Sequence, residues 1–178
     1  MILPETYTMT KNGMFARLVV PEDAETIIAL RSQFTARFMS TVEADIEKQK
    51  AWLRAYKERE RQGLDYYFLY FMDGEPIGLN RVYNIRKDSF VGGSFVFKTG
   101  CAFELPILAT VMQLDLAFNV LNLTVCFANI HKDNKKALKF NLLLGSDLIY
   151  EDETEHFLLL TKNNFNTYLS KFEHLLQR

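Results

Sequence analysis

Residues 95–145 alternate strand, loop, helix, strand and helix signals in quick succession, and that order restricts the fold more than any other feature. A strand-type run, Phe95-Val96-Phe97, breaks at Lys98-Thr99-Gly100-Cys101-Ala102. A strongly apolar helical run covers 105–118, and a second strand runs from 123 to 129. Asn134-Lys135-Lys136-Ala137-Leu138-Lys139-Phe140 then reads as an Asn-led helix that closes on Leu144-Gly145. A glycine-containing loop between a strand and a helix places free backbone N–H groups at a helix start, where an anion can sit.

Upstream, residues 15–20 read as a strand ended by Pro21, and Glu22-Asp23 open a helix carrying Ile27, Ile28, Leu30 and Phe34 at helical spacing. The 41–62 stretch is charge-rich with Ile46, Trp52, Leu53 and Tyr56 on one side, an amphipathic helix stopped by Gly63. Aromatic density makes 66–72 a strand, Asp73-Gly74 signals a hairpin, and 76–83 is its return strand. A turn through Arg86-Lys87-Asp88-Ser89 leads to 92–97. After Gly145, 147–150 and 156–160 read as final strands around Glu151-Asp152-Glu153.

The tail, 163–176, places Phe165, Tyr168, Leu169, Phe172, Leu175 and Leu176 on one face. That face either packs on the chain's own core or makes a homodimer contact. No internal repeat, low-complexity segment or linker interrupts the pattern. The expectation is a single α+β domain over 1–178, with a core at 15–161 and a C-terminal amphipathic helix at 163–176. Its sheet should be mixed, mostly antiparallel and flanked by helices.

Composition excludes several classes. The 178 residues suffice for a sizeable core, and 48% apolar with 24% charged content is ordinary for a soluble globular chain. A net charge of −1 gives no global footprint for nucleic acid or a membrane surface, so neither is an expected partner. Lys57, Arg59 and Arg61 alternate with Glu58 and Glu60 and read as a solvated helix face. The two cysteines, Cys101 and Cys126, have no CxxC spacing and no histidine at ligand spacing, which argues against a disulfide scaffold and against a metal. Residues 1–12 are polar and threonine-rich, without a signal-type run. The longest apolar stretch, 105–123, is interrupted by Gln113, Asp115, Asn119 and Asn122 and reads as a buried helix, so a reducing cytoplasm is expected.

Taken together, strand-helix-helix-strand-strand-strand-helix-strand-helix-strand-strand resembles the GNAT fold of N-acetyltransferases, and residues 16–160 can be laid on it. Ala16-Arg17-Leu18 with Pro21-Glu22-Asp23-Ala24 resembles the family's opening strand and acidic helix start. Asp73-Gly74-Glu75-Pro76-Ile77-Gly78 resembles its central hairpin, and Asn134, Ala137, Phe140 and Gly145 fall on its Asn-x-x-Ala…Gly motif. Gln49-x-x-Trp52, Tyr66-Tyr67-Phe68, Arg81-Val82-Tyr83 and Gly93-Ser94-Phe95 are similar to a subset found in surface-polysaccharide and amino-sugar biosynthesis. That subset resembles enzymes acylating the amine of a nucleotide-linked sugar. Two positions depart from the family. Its loop is usually Gln/Arg-x-x-Gly-x-Gly/Ala, whereas Lys98-Thr99-Gly100-Cys101-Ala102-Phe103 holds one glycine. A tyrosine that serves as general acid in many members is Asn141 here, which donates a hydrogen bond but gives up no proton near neutral pH.

The resemblance implies acetyl-CoA, or another acyl-CoA, as co-substrate and a small-molecule amine as acceptor. Lys98, Thr99, Gly100, Cys101 and Ala102 would cradle the pyrophosphate. The backbone N–H of Phe97 would polarise the thioester carbonyl. A strand diverging up to Asn129 would admit the pantetheine arm, and Asn134 would cap its helix or bind the CoA. Lys132, Lys135, Lys136 and Lys139 lie near the expected 3′-phosphate or form a solvated basic face. An imidazole can serve as a base near neutral pH, which makes His131 a candidate, while Glu104 suits the helix dipole. An amine titrating near pH 8 is about a tenth neutral at pH 7, so water alone could carry the proton away. For the acceptor, Arg31 and Arg37 match a nucleotide diphosphate, and Tyr83 faces the substrate. Arg81, inside an apolar strand, pairs internally or faces the cleft. Three readings remain open: an amino-sugar N-acyltransferase, an acetyltransferase for a protein N-terminus or small-molecule amine, and a GNAT-like domain that binds acyl-CoA without catalysis.

Overall fold

The computed structural model describes residues 1–40 and 43–170. Asn12 and Gly13 hold φ of 50° and 78°, as the central residues of a two-residue hairpin loop must. They join β1 (Thr8–Lys11) to β2 (Met14–Leu18), with Lys11 paired to Met14. No strand is expected before residue 15 from hydrophobic alternation, because β1 is a mostly exposed edge strand. The Asn-Gly dipeptide is the signal that reveals it.

The chain continues through α1 (Ala24–Arg31), α2 (Ile46–Arg61), β3 (Asp65–Met72), β4 (Glu75–Tyr83) and β5 (Ser89–Phe97). Then follow α3 (Glu104–Asp115), which runs into a π-helical turn at Leu116–Val120, and β6 (Val125–His131), α4 (Lys135–Leu143), β7 (Asp147–Glu151), β8 (Glu155–Thr161) and α5 (Lys162–Leu169). One eight-stranded mixed sheet has the spatial order β1-β2-β3-β4-β5-β6-β8-β7, and all its pairs are antiparallel except β5–β6. This is the α+β architecture that the sequence predicts.

Both faces of the sheet are covered. Tyr66, Phe68, Tyr70 and Val82 pack with Leu108, Ala109 and Met112 of α3 and with Phe165 of α5. On the other face Tyr67, Leu69, Leu79 and Val96 meet Ile27 and Leu30 of α1 and Leu53 and Tyr56 of α2. The two-residue period of a strand divides Tyr66 from Tyr67. A strand buried on both faces has no polar side to show, hence the unbroken aromatic run of β3.

Two expectations need correction. α2 begins at Ile46, not at 41, because the Asp45 side chain caps it by accepting from Lys48 N–H at 3.0 Å. Its basic residues are not simply solvated: Lys57 is 8% exposed and paired with Glu60, and Arg59 is paired with Asp65. The face of α5 packs inward through Phe165, which is fully buried, and Leu169. Phe172, Leu175 and Leu176 of the expected tail helix lie outside the described residues.

α4 ends in a two-bond glycine cap. Gly145 N–H donates to Leu142 O and Ser146 N–H to Asn141 O, both at 3.1 Å. Gly145 has φ of 92°, and a Cβ there would meet the Tyr168 ring at 2.6 Å. Gly145→Ala should therefore cost about 1–3 kcal/mol of stability. Urea denaturation should show a lower midpoint with an unchanged slope.

Candidate active site

β5 and β6 pair through only Ser89↔Val125, Phe90↔Cys126 and Val91↔Phe127, and then part. β5 stays with β4: Val96 faces Leu79, Phe97 faces Gly78, and Lys98 N–H donates to Ile77 O at 2.8 Å. Between Arg81↔Gly93 and Leu79↔Val96 it carries one residue more than β4. This bulge at Ser94-Phe95, with Ser94 at φ 50°, bends the strand. Antiparallel alternation turns the Phe97 N–H and C=O away from β4 and toward the gap. The carbonyl accepts from Thr35 Oγ1 at 2.9 Å. Gly78 leaves room for the Phe97 ring, which a Cβ at 78 would overlap.

The gap is a cleft of about 460 Å³ with walls from both sheet faces. Arg31, Thr35, Phe38, Met39 and Ser40 line it from α1 and the segment that follows. Thr110, Gln113 and Leu114 line it from α3, and Asn134, Ala137, Phe140 and Asn141 from α4 and its cap. Tyr83, Cys126, Asn129, His131 and Glu155 come from the strands. At its vertex a Cβ on Gly92 would lie 3.3 Å from Cys126 Sγ, and one on Gly93 3.0 Å from the Tyr83 ring. The two glycines keep the vertex open.

At the far end of β5 the chain enters α3. Thr99 N–H is taken by Gln33 Oε1 at 2.8 Å and Cys101 N–H by Lys98 O at 3.2 Å, so two of the expected anion donors are used internally. Among the described residues the N–H groups of Gly100, Ala102, Phe103 and Glu104 have no protein acceptor. Gly100, at φ 83°, supplies the turn that aligns them. A helix N-terminus with free amides attracts an anion through both hydrogen bonds and dipole. The Lys98 ammonium is exposed and lies 3.8 Å from Glu75 Oε2, toward the β3–β4 turn.

The other predicted residues divide between the cleft and its surroundings. His131 is the last residue of β6 and lines the cleft, rather than sitting in a loop. Its ring stacks on Phe38 at 5.2 Å, and its Nδ1 accepts from Asp133 N–H at 3.1 Å. Asn134 caps α4 by accepting from Ala137 N–H at 3.3 Å, and it also lines the cleft. Asn141 lines it too, with Nδ2 donating to Ala137 O at 2.9 Å. Asn129 Nδ2 donates to Glu155 Oε2 at 2.7 Å. Arg31 donates to Ser40 O at 2.7 Å, while its Nε is buried without a hydrogen-bond partner among the described residues.

Arg37 does not line the cleft; its guanidinium lies over the Phe34 and Phe38 rings at 4.1 and 4.4 Å. Arg81 is a correction. It sits on the α2 face, gripped by Asp65 through Nε at 2.7 Å and through Nη2, beneath Trp52 and beside Tyr83. Burial opposes its charge, but the hydrogen-bonded Asp65 carboxylate outweighs that and raises its pKa. An unpaired guanidinium would be costly there, so Arg81 pairs internally. Glu155 is absent from the residues the sequence singles out; the β6–β8 register, which pairs it with His131, brings it to the cleft. Among the described residues no group of three or more His, Cys, Asp or Glu could hold a metal, and no helix is long and apolar enough to cross a membrane.

Solved structures that superpose on this chain are GNAT-type acetyltransferases, and the chain is an enzyme of that type. Along nearly its whole length it is similar to FdhC, a nucleotide-linked sugar GNAT solved in its apo form. The TM-score is 0.87 at 27% identity, covering 96% of this chain and 99% of that one. A ribosomal-protein-S5-alanine acetyltransferase from Vibrio fischeri has a TM-score of 0.77 at 18% identity, covering 89% and 98%. The N-acetyltransferase PseH of Campylobacter jejuni has 0.66 at 19%, covering 84% and 99%. The last two share the fold alone. No protein-family model and no curated protein matches the sequence.

The two thiols should differ in reactivity. Burial pushes the Cys126 thiol up to about 12, whereas Cys101, in the loop before α3, is raised by only partial burial. A raised thiol pKa leaves less of the reactive thiolate at any pH below it. At pH 8 iodoacetamide should label Cys101 in the native protein and reach Cys126 only after unfolding, as read by peptide mass spectrometry.

Proposed function

We propose that this chain transfers an acetyl group from acetyl-CoA to the primary amine of a nucleotide-linked amino sugar, by direct attack in a ternary complex. The observation that carries the reading is a cleft running through a parted sheet, with free helix N-terminal amides just beyond the end of β5, the strand that forms one of its edges. The pyrophosphate would meet the N–H groups of Gly100, Ala102, Phe103 and Glu104. The pantetheine would run in the gap beside β5, and the thioester oxygen would accept from the Phe97 N–H. Such a preorganised donor typically supplies about 3–4 kcal/mol of barrier lowering.

The acceptor would enter from the side of α1. Fold alone does not choose among amines: the names of similar structures include a nucleotide-linked sugar, a ribosomal-protein alanine and spermidine. Likeness to FdhC over almost the full chain favours the sugar. So does the chemistry beside the cleft, where Phe38 stacks on His131 in the lining and Arg37, outside the lining, lies over the Phe34 and Phe38 rings. Flat faces suit a base and cations suit a diphosphate. Asn141 spends its N–H donor within α4 and has no proton to give. The leaving thiolate, whose conjugate thiol titrates near pH 8.5, can take its proton from water.

Acetyl-CoA should raise the melting temperature and slow iodoacetamide labelling of Cys101. With UDP-glucosamine or dTDP-4-amino-4,6-dideoxyglucose added, free CoA thiol should appear. Gly100→Val forces a β-branched residue to φ 83° and should weaken acetyl-CoA binding about tenfold. Binding without thiol release over both sugars would leave the amino-sugar reading without support. Gly78→Ala displaces the Phe97 ring and should lower kcat about tenfold or more, with a smaller change in the KM for acetyl-CoA.

A further inference from the structure

Glu155 is the one carboxylate among the described residues that lines the cleft. It opens β8 and faces His131 of β6 across the ladder. Oε2 accepts from Asn129 Nδ2 at 2.7 Å, while among the described residues Oε1 has no hydrogen-bond donor and no cation is paired with the group. A carboxylate held from one side and open on the other suits an incoming cation.

Strand alternation places it on the acceptor side. Asn129 and His131 share one face of β6, the face on which Phe38 stacks, and Glu155 pairs with His131 on that face. Cys126 and Leu160, on the opposite face, are buried in the core that α3 and α5 cover. Tyr83, from β4, is within electrostatic reach: burial raises its hydroxyl pKa, Arg81 opposes that, and the charges of Asp65 and Glu155 add to the rise.

We infer that Glu155 receives the ammonium of the acceptor and takes its proton, with Asn129 as the positioning residue that holds the carboxylate. This rests on the acyl-transfer reading above. Glu155 removes one proton from the ammonium and passes it to solvent. The freed lone pair forms the C–N bond at the thioester carbon, the C–S bond breaks, and its electron pair leaves on the CoA sulfur. The nitrogen loses its second proton to water and the thiolate gains one, so each turnover releases a single proton.

Around the carboxylate stand His131 at the end of β6 and Tyr83 from β4, while Lys132 acts on Asp152. Arg31 lines the same cleft from α1. Asp152, in the turn before β8, accepts the Glu155 backbone N–H at 2.8 Å. Glu151 lies 3.0 Å from His156, whose partner on β6 is Ile130, on the opposite face of β8.

The test compares ligands that differ in the ammonium group: UDP-glucosamine with UDP-glucose, and dTDP-4-amino-4,6-dideoxyglucose with dTDP-6-deoxyglucose. Calorimetry at about pH 6.5, with CoA present, keeps the amines largely charged. The wild-type chain should bind the amino member of at least one pair about tenfold more tightly. Glu155→Gln keeps an acceptor for Asn129 and should bring that ratio to about one while acetyl-CoA binding is unchanged, and Glu155→Asp should recover part of it. Asn129→Leu should lower the same ratio. An undiminished ratio in Glu155→Gln overturns the inference alone. A wild-type chain that binds acetyl-CoA and none of these sugars overturns the nucleotide-sugar reading and this inference together. Failure to bind acetyl-CoA overturns the acyl-transfer reading itself.

Discussion

Two strands that start as partners are pulled apart by stronger allegiances, and the rest of the site depends on that separation. β6 follows β8 through seven consecutive pairs, from Val125↔Thr161 to His131↔Glu155. β5 follows β4 around its bulge to Gly78↔Phe97. Between them only three pairs survive at the vertex. A backbone N–H left without a strand partner must bond to water or a ligand. The parted edge therefore presents backbone groups, the Phe97 N–H among them, to a cleft between two packed layers, while the Phe97 carbonyl is taken by Thr35.

The packing on the α2 face is organised by charge as much as by apolar contact. Asp65 is almost fully buried and holds Arg81 and Arg59. The indole of Trp52 lies near both guanidiniums, at 5.1 and 5.5 Å. The Tyr56 hydroxyl donates to Glu60 and accepts from Tyr67 N–H at 2.8 Å, and Lys57 neutralises Glu60. Buried ions with several partners each fix geometry more than they add stability. Here they brace β3 and β4, the strands against which β5 is held. Burial pushes the Tyr67 hydroxyl up to about 12, against the pull of the Arg31 and Arg81 charges. Arg81 thus supports the site from beneath instead of lining it.

Much of this was legible along the chain. The aromatic run of β3, the Asp73-Gly74 turn, the Asn134 cap and the Gly145 stop are local signals, and each has a local physical cause. Legibility failed where the signal was local but unlike its neighbours. β1 is polar, and only Asn12-Gly13 marks it. Glu155 follows Glu151, Asp152 and Glu153 in an acidic stretch that reads as a solvated turn. Its pairing with Asn129 joins residues 26 apart in sequence.

The sequence alone determined the order of elements, the burial of the central strands and the glycine turn that opens α3. These follow from periodicity and from backbone conformations that few residues tolerate. Tertiary structure alone decided which polar groups meet. It sent Arg81 to Asp65, gave Thr99 N–H to Gln33, brought His131 onto Phe38 and set Glu155 beside Asn129. A charged side chain has several partners within reach of its tether, and desolvation selects among them only once the sheet has closed around it.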